Sequence, residues 1–496
     1  MSTCHWTMDW IVLLKPVHSR RAFLNRRFVS SLEPEKKPFP VAPAWALWVM
    51  LTVLYGVPLS WGDSFHLHLH WRKPIEVARG AAVRGPWRMN DSDWRFVDDP
   101  GVAITDQGDV GVVWADHSRQ DIFFQAYDPS GKARFSRAVN ISRSPGIFSW
   151  LPRVIMTSDH PGQVYVLWQE IIFSGGTHGG EILFARSVDG GETFGEPLNL
   201  SNTPAGAGKG RLTRESWFNG SMDLVRSADG ILHAVWTEYE GALRFSRSTD
   251  GGGSFSEPVL IAGGRDESPA RGPSLAVGPG NDVHLVWAVG EEPDADLHYT
   301  VSMDQGLSFE SPQRIVKSPS YSDAPKIAVD IRGTIHIVYA QSPTGPLQHY
   351  QIHYTRKMPG DSTFQKPVGI SGAQTDRFKS MGFPYLALDA EDQLYVLWEL
   401  FPDAKSFPRG LGFTFSGNRG ESFGPATVVP GLDPELGFNG SQQGLFMKKL
   451  AVNSSGEMAI VNSTFNPHHS SHIWLIRGRS DRGRSGGQET LPREKP

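Results

Sequence analysis

Seven stretches of this chain alternate apolar with polar or small positions and close on an aromatic residue or its substitute. They are "VGVVW" to Trp114, "VYVLW" to Trp168, "LHAVW" to Trp236, "VHLVW" to Trp287, "IHIVY" to Tyr339, "LYVLW" to Trp398 and "MAIVN" to Asn462. A period of two predicts a β-strand in each, because successive side chains on an extended chain face opposite ways. Another apolar run and a turn stand before each one, clearest in "PSLAVGPGNDVHLVW" and "PKIAVDIRGTIHIVY", so every unit opens with a hairpin. The closing positions are 54, 68, 51, 52, 59 and 64 residues apart. Such spacings exceed the about 40–45 residues of a WD40 unit and leave room for four strands with generous loops.

The second half of each unit carries its own signature. "RSVDGGETFGEP" holds Ser187, Asp189, Gly191, Thr193 and Phe194, and the same pattern returns with Asp250 and Phe255 and again with Asp304 and Phe309. A fourth copy places Asn418 at the acidic position, before Phe423. These residue types make a self-contained turn: Ser and Asp oxygens accept backbone N–H groups, glycine takes positive φ, and the aromatic caps an apolar core. The four copies resemble the Asp-box, or bacterial neuraminidase repeat, of the sialidase-like β-propellers, and the pattern runs over residues 71–481. The resemblance implies boxes on the face opposite an active site, in a fold that serves binding proteins as well as enzymes.

The expectation is an all-β, seven-bladed propeller of four-stranded blades; true sialidases would suggest six. The last unit lacks a convincing fourth strand, and "HWRKPIEVARG" aligns with "SFSEPVLIAGG", which sets Trp71 on Phe255. The N-terminal strand is thus expected to close the last blade and remove an open sheet edge. Residues 63–481 form the propeller on this reading, residues 482–496 a disordered tail, and residues 1–62 a basic leader with an export signal or membrane anchor.

Composition narrows the function. A net charge of -4 gives no electrostatic case for nucleic acid, and the single cysteine, Cys4, leaves no disulfide or thiol chemistry to the propeller. The run "AWALWVMLTVLYGVPLSW" at 44–61, after seven Lys/Arg in 43 residues, reads as a signal, or as an anchor where it is not cleaved. The protein is expected to be exported (secreted, periplasmic or at the cell surface) and monomeric, and to touch membrane only through an uncleaved 44–61.

Candidate chemistry lies on the loop face, opposite the boxes, where a rigid scaffold presents loops. Two long entry loops repeat "FNGS", with Trp217 and Phe218 in one and Phe438 in the other; either Asn-Gly turns or ligand contacts explain them. Asp116, Glu170 and Glu238 each follow the closing aromatic by two residues, and Tyr239 adjoins the last. Converging on the axis, such acids would serve acid/base chemistry or form a hydrated rim.

The resemblance to sialidases implies three arginines for a substrate carboxylate, the first in an Arg-Ile-Pro motif, and a Tyr nucleophile polarised by Glu. Here the first-unit position reads "VDDPGVAI" and holds no arginine; Arg119 and Arg153 are the nearest approximations. Alternating histidines at 66, 68 and 70 and three more at 468, 469 and 472 fit a histidine-rich strand pair, and neither a metal nor another cofactor is expected. Three functions follow: a propeller that binds glycan or extracellular protein on its loop face, a sialidase-like glycoside hydrolase, and a membrane-tethered scaffold.

Overall fold

The computed structural model describes residues 69–480 apart from 87, 175–176, 203–220, 239–240, 265–266, 291–294, 316–319, 346–348, 373–376, 405, 432–437 and 440–447. Seven antiparallel sheets follow one another along the chain; six are four-strand meanders of consecutive strands, and the seventh gathers six strands from both ends of the described chain. Their first strands are Val97–Ile104, Ser149–Met156, Met222–Arg226, Ala270–Val277, Tyr321–Val329, Ser380–Leu388 and Leu450–Val452, which number blades 1 to 7. Each second strand is one of the alternating stretches. Its closing aromatic is driven into the space between blades, so that Trp168, Trp236, Trp287, Tyr339 and Trp398 are fully buried.

Blade 7 takes its outer strand from the other end of the chain. Ile75–Gly80 pairs antiparallel with Ser470–Ser480, in the register Ile75 to Leu475, and Leu69–Trp71 pairs with the same strand, Leu69 facing Ser480. The ring is closed by its own N-terminal strand, and seven blades rather than six complete it.

The repeated turns connect third to fourth strands. In blade 4, Ser302 Oγ donates to Asp304 at 2.7 Å, Gly306 N donates to Ser302 Oγ at 2.7 Å, and Ser308 N donates to Asp304 at 2.8 Å. The hydroxyl and amide of Ser308 hold the Asp304 carboxyl down at about 2. Glycine is obligatory inside the turn. Gly252 has φ 83°, and a Cβ there would meet the Phe184 ring at 2.6 Å.

That near-collision reports the contact on which the ring is built. The aromatic of each turn packs edge-on against the third strand of the preceding blade: Phe194 on Phe124, Phe255 on Phe184, Phe309 on Phe245, Phe364 on Tyr299 and Phe423 on Tyr354, with centroids 4.8–5.6 Å apart. Trp71 occupies the same place in blade 7, 6.0 Å from Phe413. Between blades 7 and 1 the corresponding third-strand position holds Leu475, which shares an apolar cluster with Val110, Val112 and Trp114 of blade 1. Two residues further on, the Arg477 guanidinium donates to the carbonyls of Asp128, Pro129 and Gly108 at 2.8–3.1 Å, as Arg186, Arg247 and Arg356 at the equivalent positions donate to carbonyls of the next blade's turn.

Truncating Trp71 to Ala should therefore cost about as much as truncating an interior box aromatic such as Phe255, on the order of 3 kcal/mol each. Urea unfolding of the two variants beside the parent protein checks this. A much smaller loss for Trp71→Ala would show that the terminal strand is an accessory to the ring.

Candidate functional site

The first strand of each blade lines the axis, and five of the seven break their pairing at the same point. Ladder registers slip at Asp99–Pro100, Leu151–Pro152, Gly272–Pro273, Ala324–Pro325 and Phe383–Pro384. Proline explains the slip, because it has no N–H to give the ladder. The residue before it adopts the left-handed region, with φ of 54° at Asp99, 57° at Leu151, 55° at Gly272, 51° at Ala324 and 52° at Phe383. Such backbone costs on the order of 1 kcal/mol or more for a side-chain-bearing residue, and here it recurs beside a first-strand proline in five blades.

These bulges aim a mixed set of side chains at the loop face. In blade 1, Asp98, Asp99, His117 and Arg84 line a small, largely buried recess walled by Trp94, Phe96 and Trp150. Asp98 accepts a hydrogen bond from Ser463 Oγ at 2.6 Å, and His117 Nε2 lies 3.9 Å from Asp99 Oδ2. Arg84 sits over the Trp94 ring at 5.1 Å; burial lowers its pKa against the opposing pull of Asp98 and Asp99. His117 stacks on Phe148 and touches Phe96 and Trp94. Burial, helped by the Arg84 charge, lowers its pKa to about 3, so the imidazole is neutral at physiological pH. In blades 4 and 5, Arg271 Nη1 meets Asp323 at 3.2 Å, Tyr321 donates to the same carboxylate at 3.1 Å, and Arg271 lies over the Tyr321 ring.

One position below the bulges, each first strand pairs with the residue just before the closing aromatic. Those positions hold Gly101, Arg153, Asp223, Ser274, Lys326 and Tyr385 in blades 1 to 6. In blade 7 the place belongs to Lys449, whose carbonyl accepts from Val461 N. Lys449 and Glu399 form a fully buried ion pair that Asn462 also joins. Tyr385 is buried, and burial together with the charge of Glu399 holds its phenol well above the ordinary range.

The acids that follow the aromatics are placed differently from the axial convergence expected of them. They leave the second strand, and the first strand stands between them and the axis. Glu170 is buried and accepts from Trp168 Nε1 at 3.0 Å, Ser149 Oγ at 3.3 Å and Ser144 Oγ. Glu238 likewise takes the indole N–H of Trp236, at 3.4 Å, and the Nε of Arg244 at 3.1 Å. The recurrence of an acid two residues past Trp is thus explained in blades 2 and 3 by the need of a buried indole for an acceptor.

Asp116 accepts from Ser118 N and lies 3.7 Å from Arg119, whose guanidinium rests over Phe123. Burial raises the Asp116 pKa against the opposing pull of Ser118 and Arg119. Arg153 does reach the axis, where Nε donates to Met222 O at 3.2 Å and Nη1 to the carbonyls of Leu151 and Pro152. Burial lowers its pKa to about 10.

Tyr239, Trp217 and Phe218 lie outside the described residues. Phe438 is described only as backbone, paired with Phe465. Asp189, Asp250, Asp304 and Asn418 hold the repeated turns. His70 and His472 take ladder places opposite Arg479 and Arg79, and His66 and His68 are outside the described residues. Among the described residues no three metal-ligating side chains cluster, and no helix is long and apolar enough to cross a membrane.

The bulge residues carried a readable signal. Pro100, Pro273, Pro325 and Pro384 each stand 14 residues before the closing aromatic, and Pro152 stands 16 before it.

No protein-family model and no curated protein sequence matches the chain. Its likeness is to solved structures. The polysaccharide lyase Uly1 superposes with a TM-score of 0.51 at 10% identity, over 83% of this chain and 99% of that one. A family-25 polysaccharide lyase, an ulvan lyase bound to a GlcA–Rha3S saccharide, gives 0.50 at 11% identity, over 82% and 96%. The intramolecular trans-sialidase of Ruminococcus gnavus gives 0.44 at 11% identity, over 68% and 95%. At such identities the likeness is one of fold alone.

Two outcomes follow for the site. Gly272 has φ 55° and an added Cβ would find its nearest neighbour, Pro325, 4.0 Å away. Gly272→Ala should therefore cost about 1 kcal/mol of pure backbone strain, whereas Ala324→Gly in the next blade should cost nothing or stabilise slightly. Thermal unfolding of both reads the strain directly; equal losses would contradict it.

His117, at about 3, and His233, which burial lowers to about 4, titrate below a free histidine near 6.5. Both keep their stabilising contribution above pH 6.5 and lose it as the pH falls toward 4, because the unfolded chain takes up protons that the folded chain refuses. The melting temperature should fall over that window, less steeply in His117→Phe, and an unchanged slope in the variant would remove His117 from the account.

Proposed function

We propose that this protein is an exported propeller that binds glycans on its loop face, at the ring of strained bulges. The observation that carries the reading is the side-chain set gathered at and beside those bulges: carboxylates at Asp98, Asp99 and Asp323, guanidinium groups at Arg84 and Arg271, and aromatic walls from Trp94, Trp150 and Tyr321. Saccharide recognition needs this combination, since hydroxyls pair with fixed charged acceptors and donors while the C–H face of a sugar lies against aromatic carbon. Left-handed backbone repeated at the five bulges supports it, because strain is retained where a site requires a particular geometry. Two structural neighbours being polysaccharide lyases is consistent with a carbohydrate ligand. Export rests on the sequence of residues 1–62.

A hydrolytic reading has one observation in its favour, the buried Tyr385 beside Glu399 and Arg153. The same burial that encloses the phenol also opposes its ionisation, and an unassisted tyrosinate is not available there at neutral pH. We therefore place binding before turnover.

A glycan array probed with the whole protein tests the reading, with the bound saccharides then offered in solution for turnover. Asp99→Asn keeps a residue that tolerates the left-handed region and removes only the charge. This variant should lose at least tenfold in affinity with an unchanged melting temperature. If the parent protein binds no saccharide, the reading fails.

A further inference from the structure

The blade 1 recess is walled in part by a segment outside the seven sheets. Between Gly80, at the end of the closing strand, and Val97, which opens blade 1, the chain crosses the loop face. One hydroxyl clasps both ends of the crossing: Ser471 Oγ donates to Ala81 O at 2.6 Å and accepts from Val97 N at 2.9 Å. Val83 and Arg95 pair inside it, and Trp94 Nε1 donates to Gly85 O at 2.9 Å. Further along, Asn90 reaches blade 2, where its amide donates to Ile171 O at 2.9 Å and accepts from Phe148 N at 2.8 Å. A surface loop whose ends meet and whose side chains pack inward is frequently part of a site. This one delivers Arg84 and Trp94 to the recess of Asp98 and Asp99.

What the recess offers a ligand is a surplus of acceptors. Asp98 and Asp99 are 4% and 1% exposed, and Asp98 accepts from Ser463 Oγ at 2.6 Å. A carboxylate has about four acceptor sites, so this bond leaves capacity over. His117, 3% exposed, adds to it. Its Nε2 lies 3.9 Å from Asp99 Oδ2, and the carboxylate favours the tautomer with the proton there. Nδ1 is then an acceptor, and it has no hydrogen-bond partner among the described residues. Charge leans the same way. Arg84, over the Trp94 ring at 5.1 Å, balances one of the two carboxylates, and burial keeps His117 neutral. Buried acceptors without donors and buried charge without counter-charge are both costly, so the group that fits here donates and is positive.

We propose that this recess binds one primary ammonium group. Its three N–H bonds, the same inventory as a lysine head group, meet acceptors at Asp98, Asp99 and His117 Nδ1, and the aromatic wall of Trp94 and Trp150 favours a cation. The recess is too small for a sugar ring. On the glycan reading above, on which this choice of source rests, the ammonium is the free amino group of an amino sugar whose ring stays outside. A free small amine is the other source of the same chemistry.

The test is calorimetric titration of the whole protein, at constant ionic strength, with methylammonium chloride, potassium chloride, a glucosamine trimer and its fully N-acetylated counterpart. Methylammonium should bind saturably, and potassium, which carries the charge without N–H donors, should not. The free-amine trimer should bind on the order of tenfold more tightly than the acetylated one. His117→Phe keeps the aromatic wall and removes an acceptor, and should weaken methylammonium binding by on the order of tenfold. Asp99→Asn gives the same comparison where that variant does not fold. Methylammonium binding with no saccharide bound assigns the recess to a free amine and removes the glycan reading. Methylammonium binding with equal binding of the two trimers also assigns it to a free amine and leaves the glycan reading standing. Absence of saturable methylammonium binding, equal binding of potassium, or equal binding by the parent and both variants overturns the proposal.

Discussion

The structure depends on an aromatic ring that each unit cannot cover for itself. The box aromatic of one blade rests on the third strand of the blade before it, so the apolar surface made by one repeat is buried only by the next. A single four-stranded blade has two such faces and no means of closing either. The circle solves this once for all seven, and it does so only if the first and last units also meet. That requirement is why the N-terminal strand crosses to blade 7 and why Trp71 arrives where a box phenylalanine would otherwise be.

Almost all of this architecture was legible in the sequence, because the interactions behind it are local and repeat. The alternation of the second strands, the spacing of the closing aromatics and the turn chemistry at Asp189, Asp250, Asp304 and Asn418 each act within a few residues. Even the closure could be read, since Trp71 and Pro74 align with Phe255 and Pro258.

The site was harder to read, for a physical reason. Glu170 and Glu238 drew notice by recurring, yet they recur because an indole beside them needs an acceptor. Groups near the bulges, such as Asp99, Arg271 and Lys326, share no residue type. What they share is nearness to a first-strand proline: Asp99 directly precedes one, Arg271 stands two residues before one and Lys326 directly follows one. Their company is created by ring closure, which brings Arg271 of blade 4 to Asp323 of blade 5 without any spacing in the chain to announce it. Local pattern shows where a side chain stands within its unit, while electrostatic company is decided by the ring.

One joint of the ring differs from the others in where its strands come from. Ile75 pairs with Leu475, so blade 7 draws on both ends of the chain, while every other blade is a run of consecutive strands. A contact between residues so distant in sequence has the largest loop-closure entropy to overcome and gains nothing until the strands between them are in place. Six blades can form as the chain emerges, and the seventh waits for the last strand; the circle locks at the end of folding rather than at its start.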